Sequence, residues 1–531
     1  MHGDISSSSS EDATVTKRLV DAVNFAIALP QREAALSLLI SHICHENQVK
    51  HDYEIEVGIA NVLCLHLGYA LQRGDTNCEI VVKVCRAFEL VYCGCSGQMR
   101  SFSFSSIGIE LIPLLLKSAD KFMNEDPHQR NGDVATYIMN SLRSFSDVRA
   151  ISIDIVKHPH LLKTLTFAIS MSSLKSETRI SAIATLANLA FYVEEYRLTI
   201  VQQPGVLRAL VQISLSSTIE KMSELASSVF CSIAKSMSAI SILAKHGDVI
   251  NALLRLCRSY NVNTRKNAVM AIGGIASMHG NSTVLLGHAE GVVVDVMARI
   301  IRDDTESEIR RNAARNLRII GCGNETGRVA SRKGVLDTLS NSVMNDSCFG
   351  NRVESADVLA RMASCMRSDI TSYPAFLGIL SNILSSSTIA CVELSVRTID
   401  LLSSIPENQV VLAEYQGMIQ ALARAASYDS STPSIREHVT SALLNISCEP
   451  QICENMISVV LLTSLVKSLS IFDFENRRAR ENAVRIVVKL SSVSPNKTRI
   501  AHHDGLLNSL VQFSMFSQNQ QLKNDVKETI I

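Results

Sequence analysis

The sequence predicts an all-α protein made of one helical unit that repeats along the chain. Three observations predict this class. Apolar segments of helical periodicity recur at a nearly constant interval. Gly and Pro are few, 23 and 10 in 531 residues, and aromatic residues make up only 5% with no Trp, which favours helices over a β-sandwich or barrel. The chain is also too long for one compact core, so we expect an elongated array or several domains.

The first recurring segment is a Gly followed by apolar residues at positions i, i+3 and i+4, the pattern of a helix with one buried face. It begins at Gly205, Gly247, Gly291, Gly334, Gly417 and Gly505. The first four are 42, 44 and 43 residues apart, and segments from Tyr373 and Ser458, which keep the apolar pattern without the leading Gly, fill the two longer intervals. Because Gly lacks a Cβ, it permits a sharp reversal of the chain before each of these middle helices.

A second, longer segment recurs between them, with small Ala and Ser residues where a neighbouring helix must approach closely. It begins at Arg179, Glu224, Arg265, Arg310, Val353, Glu393, Glu437 and Arg480. Pro406, Pro450 and Pro495 each follow one of these long helices, at spacings of 44 and 45, where Pro ends one helix and begins the next. Each period therefore contains a long helix, a short helix, a Gly corner and a middle helix.

This combination of a Gly corner, an apolar middle helix and an Ala-rich long helix every 42 to 44 residues resembles the armadillo repeat family. The match covers eight units from Arg179 to Met515, and weaker units begin at Ile107 and His158. The resemblance implies a right-handed α-solenoid of about eight to ten three-helix repeats whose long helices line a concave groove. The expected domains are a disordered Ser-rich segment at 1–16, a helical cap at 17–74, the repeat array at 75–516 and a polar, fraying tail at 517–531.

In armadillo proteins of the importin-alpha type, a Trp and an Asn four positions later on each long helix form a ladder that holds basic peptides. The residues at the Trp positions here are Ala184, Ser228, Met270, Arg315, Asp357, Arg397, Ser441 and Arg485. None is aromatic, and Asn is kept only at Asn188 and Asn445. The aromatic slots that attract a Lys side chain cannot form. The pattern therefore argues against a nuclear transport adaptor, which stays a third option.

Six cations stand at or beside these ladder positions. They are Arg315, Arg318, Arg361, Arg397, Arg485 and Lys489. Such a stripe predicts an acidic or phosphorylated partner segment, because guanidinium groups bind carboxylate and phosphate through paired hydrogen bonds. This groove polarity resembles that of the beta-catenin class. Two alternatives stay open: the charges form a solvated face in which Asp357 neutralises Arg361, and Asn188 and Asn445 bind either a partner's backbone or their own helix ends.

Composition and motifs favour protein binding without chemistry. The 51 Lys and Arg residues balance 51 Asp and Glu residues, so we expect no nucleic-acid partner. The sequence has no GxxxxGK, HExxH or GxSxG motif, which predicts no enzymatic activity and no cofactor. The first hypothesis is a scaffold or adaptor for other proteins. The second is a chaperone or an exchange factor that grips a folded client or a small GTPase.

The remaining signals concern the cell compartment. Residues 1–12 lack the basic start and apolar run of a secretory signal. Polar residues interrupt the uncharged stretch 370–392, which predicts two helices and a loop rather than a membrane span. We therefore expect a cytoplasmic or nuclear protein. The one group of thiols to consider for zinc is Cys78, Cys85, Cys93 and Cys95, whose spacing favours core packing instead.

Overall fold

The computed structural model describes residues 34, 38, 112–119, 131–278, 280–321, 323–366, 374–448 and 450–530. These residues form α-helices, short 3-10 turns and corners, with no β-strand among them. The predicted all-α class is confirmed. The chain divides into two units, residues 1–278 and 279–531. Several predicted segments lie outside the described residues. They are 1–16, all but two residues of the cap, residues 75–130 except 112–119, and with them the thiol group at 78–95.

The first unit stacks helices in the order long, short, middle. Its long helices are α1 (Asn131–Ser146), α4 (Ser176–Tyr192), α7 (Glu220–Ile233) and α10 (Val262–Ala276). Its short helices are α2 (Arg149–Ile155), α5 (Tyr196–Gln202) and α8 (Met237–Lys245), and its middle helices are α3 (Leu161–Ser170), α6 (Val206–Ser216) and α9 (Gly247–Leu256). Each long helix packs against the next long helix and each middle helix against the next middle helix, so the unit has two layers.

The second unit repeats this order. Its long helices are α13 (Ser307–Ile320), α16 (Phe349–Met366), α18 (Ile389–Ser403), α21 (Pro433–Ile446), α24 (Arg477–Ser491) and α27 (Gln520–Ile530). Its short helices are α11 (Asn281–Gly287), α14 (Thr326–Ala330), α19 (Pro406–Glu414), α22 (Pro450–Met456) and α25 (Ser494–Ala501). Its middle helices are α12 (Val292–Asp303), α15 (Val335–Asn345), α17 (Pro374–Ile383), α20 (Met418–Ser427), α23 (Val459–Ser470) and α26 (Leu506–Phe516). The same two layers form, and the predicted three-helix period is present except between α16 and α17, where residues 367–373 lie outside the described residues.

The Gly corners before the middle helices match the prediction with one exception. Five of the six predicted corner glycines have φ between 78° and 90°, namely Gly205, Gly291, Gly334, Gly417 and Gly505. This left-handed region is costly for a residue with a Cβ. Gly247 is instead the first residue of α9, and the preceding His246 is extended, with φ −92°. The prediction of a Gly reversal is wrong there, because the extended residue directs the chain into the helix.

The small residues of the long helices allow close packing, as α4 illustrates. This helix contacts α1, α3 and α7 and is therefore covered on several sides. Its Ser181, Ala184, Thr185 and Ala187 are each at most 5% exposed. Side chains of this size let helix axes approach to roughly 8 Å, the lower end of the usual range. A large residue at these positions would push neighbouring repeats apart.

Hydrogen bonds join equivalent positions of successive repeats. In the first unit the hydroxyl groups of Thr136 and Thr178, 42 residues apart, lie 2.6 Å from each other. In the second unit the Nδ2 of Asn496 donates to the main-chain oxygen of Cys453, 43 residues earlier, at 2.9 Å. Both pairs are buried, where an unpaired polar group would be costly. These bonds therefore favour one register between neighbouring repeats.

An Arg in the first turn of several long helices binds the corner that precedes it. Its guanidinium donates to main-chain oxygens at or after the end of the middle helix, where carbonyl groups lack helical partners. The pairs are Arg179 to Ile169 (3.1 Å), Arg265 to Ser259 (3.0 Å), Arg310 to Asp304 (2.8 Å), Arg436 to Ser431 (2.5 Å) and Arg480 to Asp473 (2.7 Å). The recurring Arg is visible in the sequence, whereas its structural role is not.

Arg310 also forms a largely buried ion pair. Its Nε and Nη2 atoms lie 2.8 and 2.9 Å from the two carboxylate oxygens of Asp346, whose side chain is 5% exposed. Burial alone would raise the pKa of Asp346, but hydrogen bonds from Arg310, the Cys348 N–H and Asn351 lower this pKa below its ordinary value. The pair thus joins α13 to the corner that precedes α16.

The C-terminal tail differs from the sequence-based expectation. Residues 520–530 form helix α27 instead of a frayed segment. Leu522 and Val526, four positions apart and so on one helix face, are 3% and 0% exposed, and α27 packs against α24 and α26. The prediction that the tail frays is wrong, because two apolar residues in a polar sequence are enough to cover a neighbouring helix.

No single helix in the described ranges is both long and apolar enough to cross a bilayer. The helices α22 and α23 reach that length and hydropathy only together, and the chain bends by 95° between them. Within the uncharged stretch 370–392, the described part contains α17 and the start of α18, which are the two predicted helices.

We expect Gly274→Ala to lower the stability of the chain. A Cβ at Gly274 in α10 would lie 2.3 Å from the main-chain oxygen of Ala234, so the backbones must separate. This overpacking should cost about 1–3 kcal/mol in the free energy of unfolding, measured by urea denaturation followed by circular dichroism. Gly287→Ala is the matched control, because no atom lies within 4 Å of its added Cβ. Equal stability of the two variants would contradict the close approach.

Asp346→Asn should destabilise the chain by about 3 kcal/mol at neutral pH, because it leaves the Arg310 guanidinium without its carboxylate. The folded-state pKa of Asp346 is lowered, so its contribution is complete above the ordinary Asp pKa of about 3.9. That contribution is lost as the pH falls through the lowered value. Urea denaturation between pH 3 and pH 7 should show the two proteins converging at acid pH. Asp429→Asn, at a fully exposed carboxylate paired with Lys467, should leave the unfolding midpoint unchanged.

Candidate functional site

All eight predicted contact residues lie on long helices. Asn188 is on α4 of the first unit, and the other seven are on α13, α16, α18, α21 and α24 of the second. Arg315, Arg361, Arg397 and Arg485 are exposed. We call the surface formed by these four residues with Arg318 and Lys489 the long-helix face. The helical period places these cations at the surface. The buried residues of α13, such as Ala314 and Leu317, lie on the other side of the helix, which packs against neighbouring helices.

On α13 and α16 the predicted cations are paired with carboxylates. The Nε of Arg315 lies 2.9 Å from Glu354, and the Nη1 of Arg318 lies 3.1 Å from Asp357. The Nε of Arg361 contacts the same Asp357 at 2.9 Å. Three guanidinium groups therefore share two carboxylates, and this part of the face keeps a small positive excess. Exposed pairs of this kind contribute about 1 kcal/mol or less to stability.

The three cations on α18 and α24 differ in how they are held. Arg397 is exposed and makes no hydrogen bond or ion pair within the described part of the chain. Arg485 lies 4.0 Å from Glu481 and 3.3 Å from the Oδ1 of Asn482, both on its own helix. Lys489 donates to the main-chain oxygen of Leu444 at 3.3 Å, in the last turn of α21. Arg397 and Arg485 are thus the most accessible of the three, while Lys489 also supports a helix end.

Asn188 and Asn445 bind a neighbouring repeat instead of their own helix ends. The Nδ2 of Asn188 donates to the Ser146 hydroxyl at 2.9 Å and to Asp147 at 2.6 Å. The Nδ2 of Asn445 donates to the Ser403 hydroxyl at 3.1 Å, again 42 residues earlier. Each serine lies at the end of the preceding long helix. The side-chain amides therefore link successive long helices on the side where a partner's backbone was expected to bind.

Polar bonds between long helices also occur elsewhere on this side of the second unit. Asp400 of α18 lies 2.8 Å from the Nδ1 of His438 on α21. Glu437 of the same helix lies 3.0 Å from Arg478 on α24. These partners are about 40 residues apart in sequence, so the spacing of the repeats is the signal by which they can be found. These pairs are not visible when only equivalent positions of the repeats are compared, because each pair joins different positions on two neighbouring helices.

The described cysteines offer no metal site. Cys231, Cys257, Cys391 and Cys453 are buried, as expected of small core residues. Burial raises the pKa of Cys391 to about 11. No group of three or more His, Cys, Asp or Glu side chains in the described ranges is placed to hold a metal ion.

Comparisons with known proteins address the fold. No family model and no curated protein matches the chain. An engineered protein solved by the Northeast Structural Genomics Consortium is similar in structure, with a TM-score of 0.50 and 20% identity, and covers 78% of this chain and 98% of its own. A chain from a structure of the phosphorylation-controlled interaction between cadherin and beta-catenin gives a TM-score of 0.55 and 13% identity, covering 96% and 99%. At these identities the similarity concerns the fold alone.

Proposed function

We propose that this chain is a non-enzymatic scaffold or adaptor that binds an extended acidic or phosphorylated segment of a partner protein along the long-helix face. The observation that carries the proposal is the exposure of Arg397, which has no hydrogen bond or ion pair within the described ranges, and of Arg485, whose one ion pair, with Glu481 of its own helix, is 4.0 Å long. A bound carboxylate or phosphate would complete their hydrogen bonding. We also propose that the protein acts in the cytoplasm or the nucleus.

The charges on the long helices of the second unit also support an acidic partner segment. Helix α24 carries five cations, Arg477, Arg478, Arg480, Arg485 and Lys489, and one anion, Glu481. On α18, Asp400 is bonded to His438 and Glu393 accepts a hydrogen bond from Ser434 at 2.7 Å, so both carboxylates of that helix are engaged. These hydrogen bonds leave both carboxylates charged, but α18 and α24 together carry six cations and three anions, so their net charge is positive and attracts an acidic segment.

The first test replaces Arg397 and Arg485 with Glu in one variant. The probe is a fluorescein-labelled peptide of about 20 residues made of Glu, Ser and Gly, a length that spans several repeats at about 3.3 Å per residue. Fluorescence anisotropy should show binding that weakens with added salt and a dissociation constant at least about tenfold higher for the variant.

Arg424→Glu is the matched control, because Arg424 is exposed on the middle helix α20 and donates only to its own helix at Gln420. It should bind the probe as the wild type does. Equal binding by the Arg397/Arg485 variant would refute the proposal and favour a partner recognised by shape, as a folded client would be.

The second test changes the charge in the opposite direction. Asp357→Asn removes the negative charge between Arg318 and Arg361, so the affinity for the same acidic probe should rise by about two- to fivefold. Asp429→Asn makes an identical charge change at the end of a middle helix and should leave the affinity unchanged. An unchanged or reduced affinity of the Asp357 variant would show that this part of the face does not meet the peptide.

A further inference from the structure

Two cysteines stand at the corner between the long helix α21 and the short helix α22. Cys448 lies two residues after the end of α21 and two residues before α22, and Cys453 is the fourth residue of α22. Side chains at these two positions often pack against each other across the start of a helix. The places of the two thiols in the sequence therefore favour a contact between them.

The hydrogen bond of Cys453 places its thiol beside Cys448. The Cys453 Sγ donates to the main-chain oxygen of Ser447 over 3.6 Å. This oxygen belongs to the peptide bond between Ser447 and Cys448, and backbone geometry puts it about 3 Å from the Cα of Cys448. The Cys453 sulfur is therefore no more than about 7 Å from that Cα, a gap that the Cys448 side chain can span. Proximity of this kind is the first requirement for a disulfide.

The preceding repeat directs the equivalent side chain to the equivalent place. Gln409 is the fourth residue of the short helix α19, and its Nε2 donates at 3.0 Å to the main-chain oxygen of Ser403, where α18 ends. Ser403 and Gln409 each precede Ser447 and Cys453 by 44 residues. The direction of the Cys453 side chain therefore belongs to the repeat, whereas the thiol at this position and the thiol of Cys448 belong to this one corner.

The two thiols differ in exposure, which gives them different chemical roles. Cys448 is exposed, whereas Cys453 is 3% exposed. Burial raises the pKa of the Cys453 thiol, the ammonium group of Lys489 lowers it, and a thiolate at Cys448 raises it. An oxidant in solution therefore reaches Cys448 first, and the second thiol stands next to it in a site that water scarcely enters.

We propose that Cys448 and Cys453 form a redox modification site that hydrogen peroxide converts to a disulfide. The Cys448 thiolate attacks one peroxide oxygen, the O–O bond breaks, and the hydroxide that leaves takes up a proton to become water. Cys448 is then a sulfenic acid. The Cys453 sulfur attacks the Cys448 sulfur, the S–O bond breaks, and the hydroxyl group leaves with the Cys453 proton as a second water.

The reaction is balanced and reversible. The two thiols together give up two electrons, and one peroxide is reduced to two waters. A thiol reductant such as glutathione restores both thiols by thiol–disulfide exchange, in which it is oxidised itself. The disulfide ties the end of α21 to α22. None of its residues is tested under the scaffold proposal, so the two proposals can fail separately.

The test uses the full chain, reduced with dithiothreitol, freed of the reductant and treated with hydrogen peroxide. Remaining thiols are blocked with N-ethylmaleimide, and the tryptic peptides are identified by mass spectrometry. Trypsin cleaves after Lys and Arg, so Cys448 and Cys453 fall in one peptide, residues 437–467, that contains no other Cys. After peroxide this peptide should bind no maleimide and should have lost two hydrogen atoms. Renewed reduction before blocking should restore both maleimides.

Cys365 is the internal control, because it is exposed on α16 and is the only Cys in its tryptic peptide, residues 362–366. With dimedone present during oxidation, its sulfenic acid should be trapped. Cys453→Ala should likewise leave Cys448 as a sulfenic acid that dimedone traps, with an unchanged circular dichroism spectrum. Cys448→Ser should leave Cys453 able to bind maleimide at a peroxide concentration that converts the wild type completely.

Two results would overturn the inference. In the first, peptide 437–467 of the wild type still binds two maleimides at a peroxide concentration that oxidises Cys365. In the second, Cys448 is linked to a thiol other than that of Cys453. Both results come from the unmodified sequence, so they do not depend on whether a variant folds.

Discussion

Close packing of each long helix against the next is the constraint on which the rest of each unit depends. Small residues such as Ala184 and Ala187 make this approach possible, and Gly274 is the limiting case because its Cα faces a main-chain oxygen. Once the helices are this close, residues about 40 positions apart become neighbours. The hydrogen bonds of Asn188 and Asn445 are consequences of that approach, and so are the ion pairs of Arg315 and Arg318.

Arginine serves two purposes in these units, and its position in the long helix separates them. In the first turn, as at Arg179 and Arg265, the guanidinium binds main-chain oxygens of the preceding corner and supports the fold. Near the middle of the helix, as at Arg397 and Arg485, it lies on the outer surface and is accessible to a partner. Counting charges along the sequence treats all of these residues alike, which is why a balanced total conceals a surface with local positive excess.

The sequence was sufficient to predict features that depend on local chemistry. Helical periodicity predicted the long and middle helices. Pro406 and Gly205 marked corners because Pro fixes its own φ angle, whereas Gly can adopt a positive φ angle. Features that depend on the register of neighbouring helices were not predictable in this way. The pairing of Asn445 with Ser403 and the meeting of Phe472 with Phe516 require knowing which face of one repeat touches the next. The failed prediction for residues 520–530 has the same origin, because their burial depends on α24 and α26.

Crevices between the corners of neighbouring repeats in the second unit show how such a fold can acquire new specificities. The helices that frame each crevice are held by their own buried layers, whereas several of the side chains that line it stand at exposed corner positions. Mutations there alter what the cleft accepts while leaving the frame intact. Versions lined mainly by serine, by charged and amide side chains, and by phenylalanine already coexist in one chain. Duplication of a repeat followed by drift at its corner is therefore an economical evolutionary route to a new recognition surface.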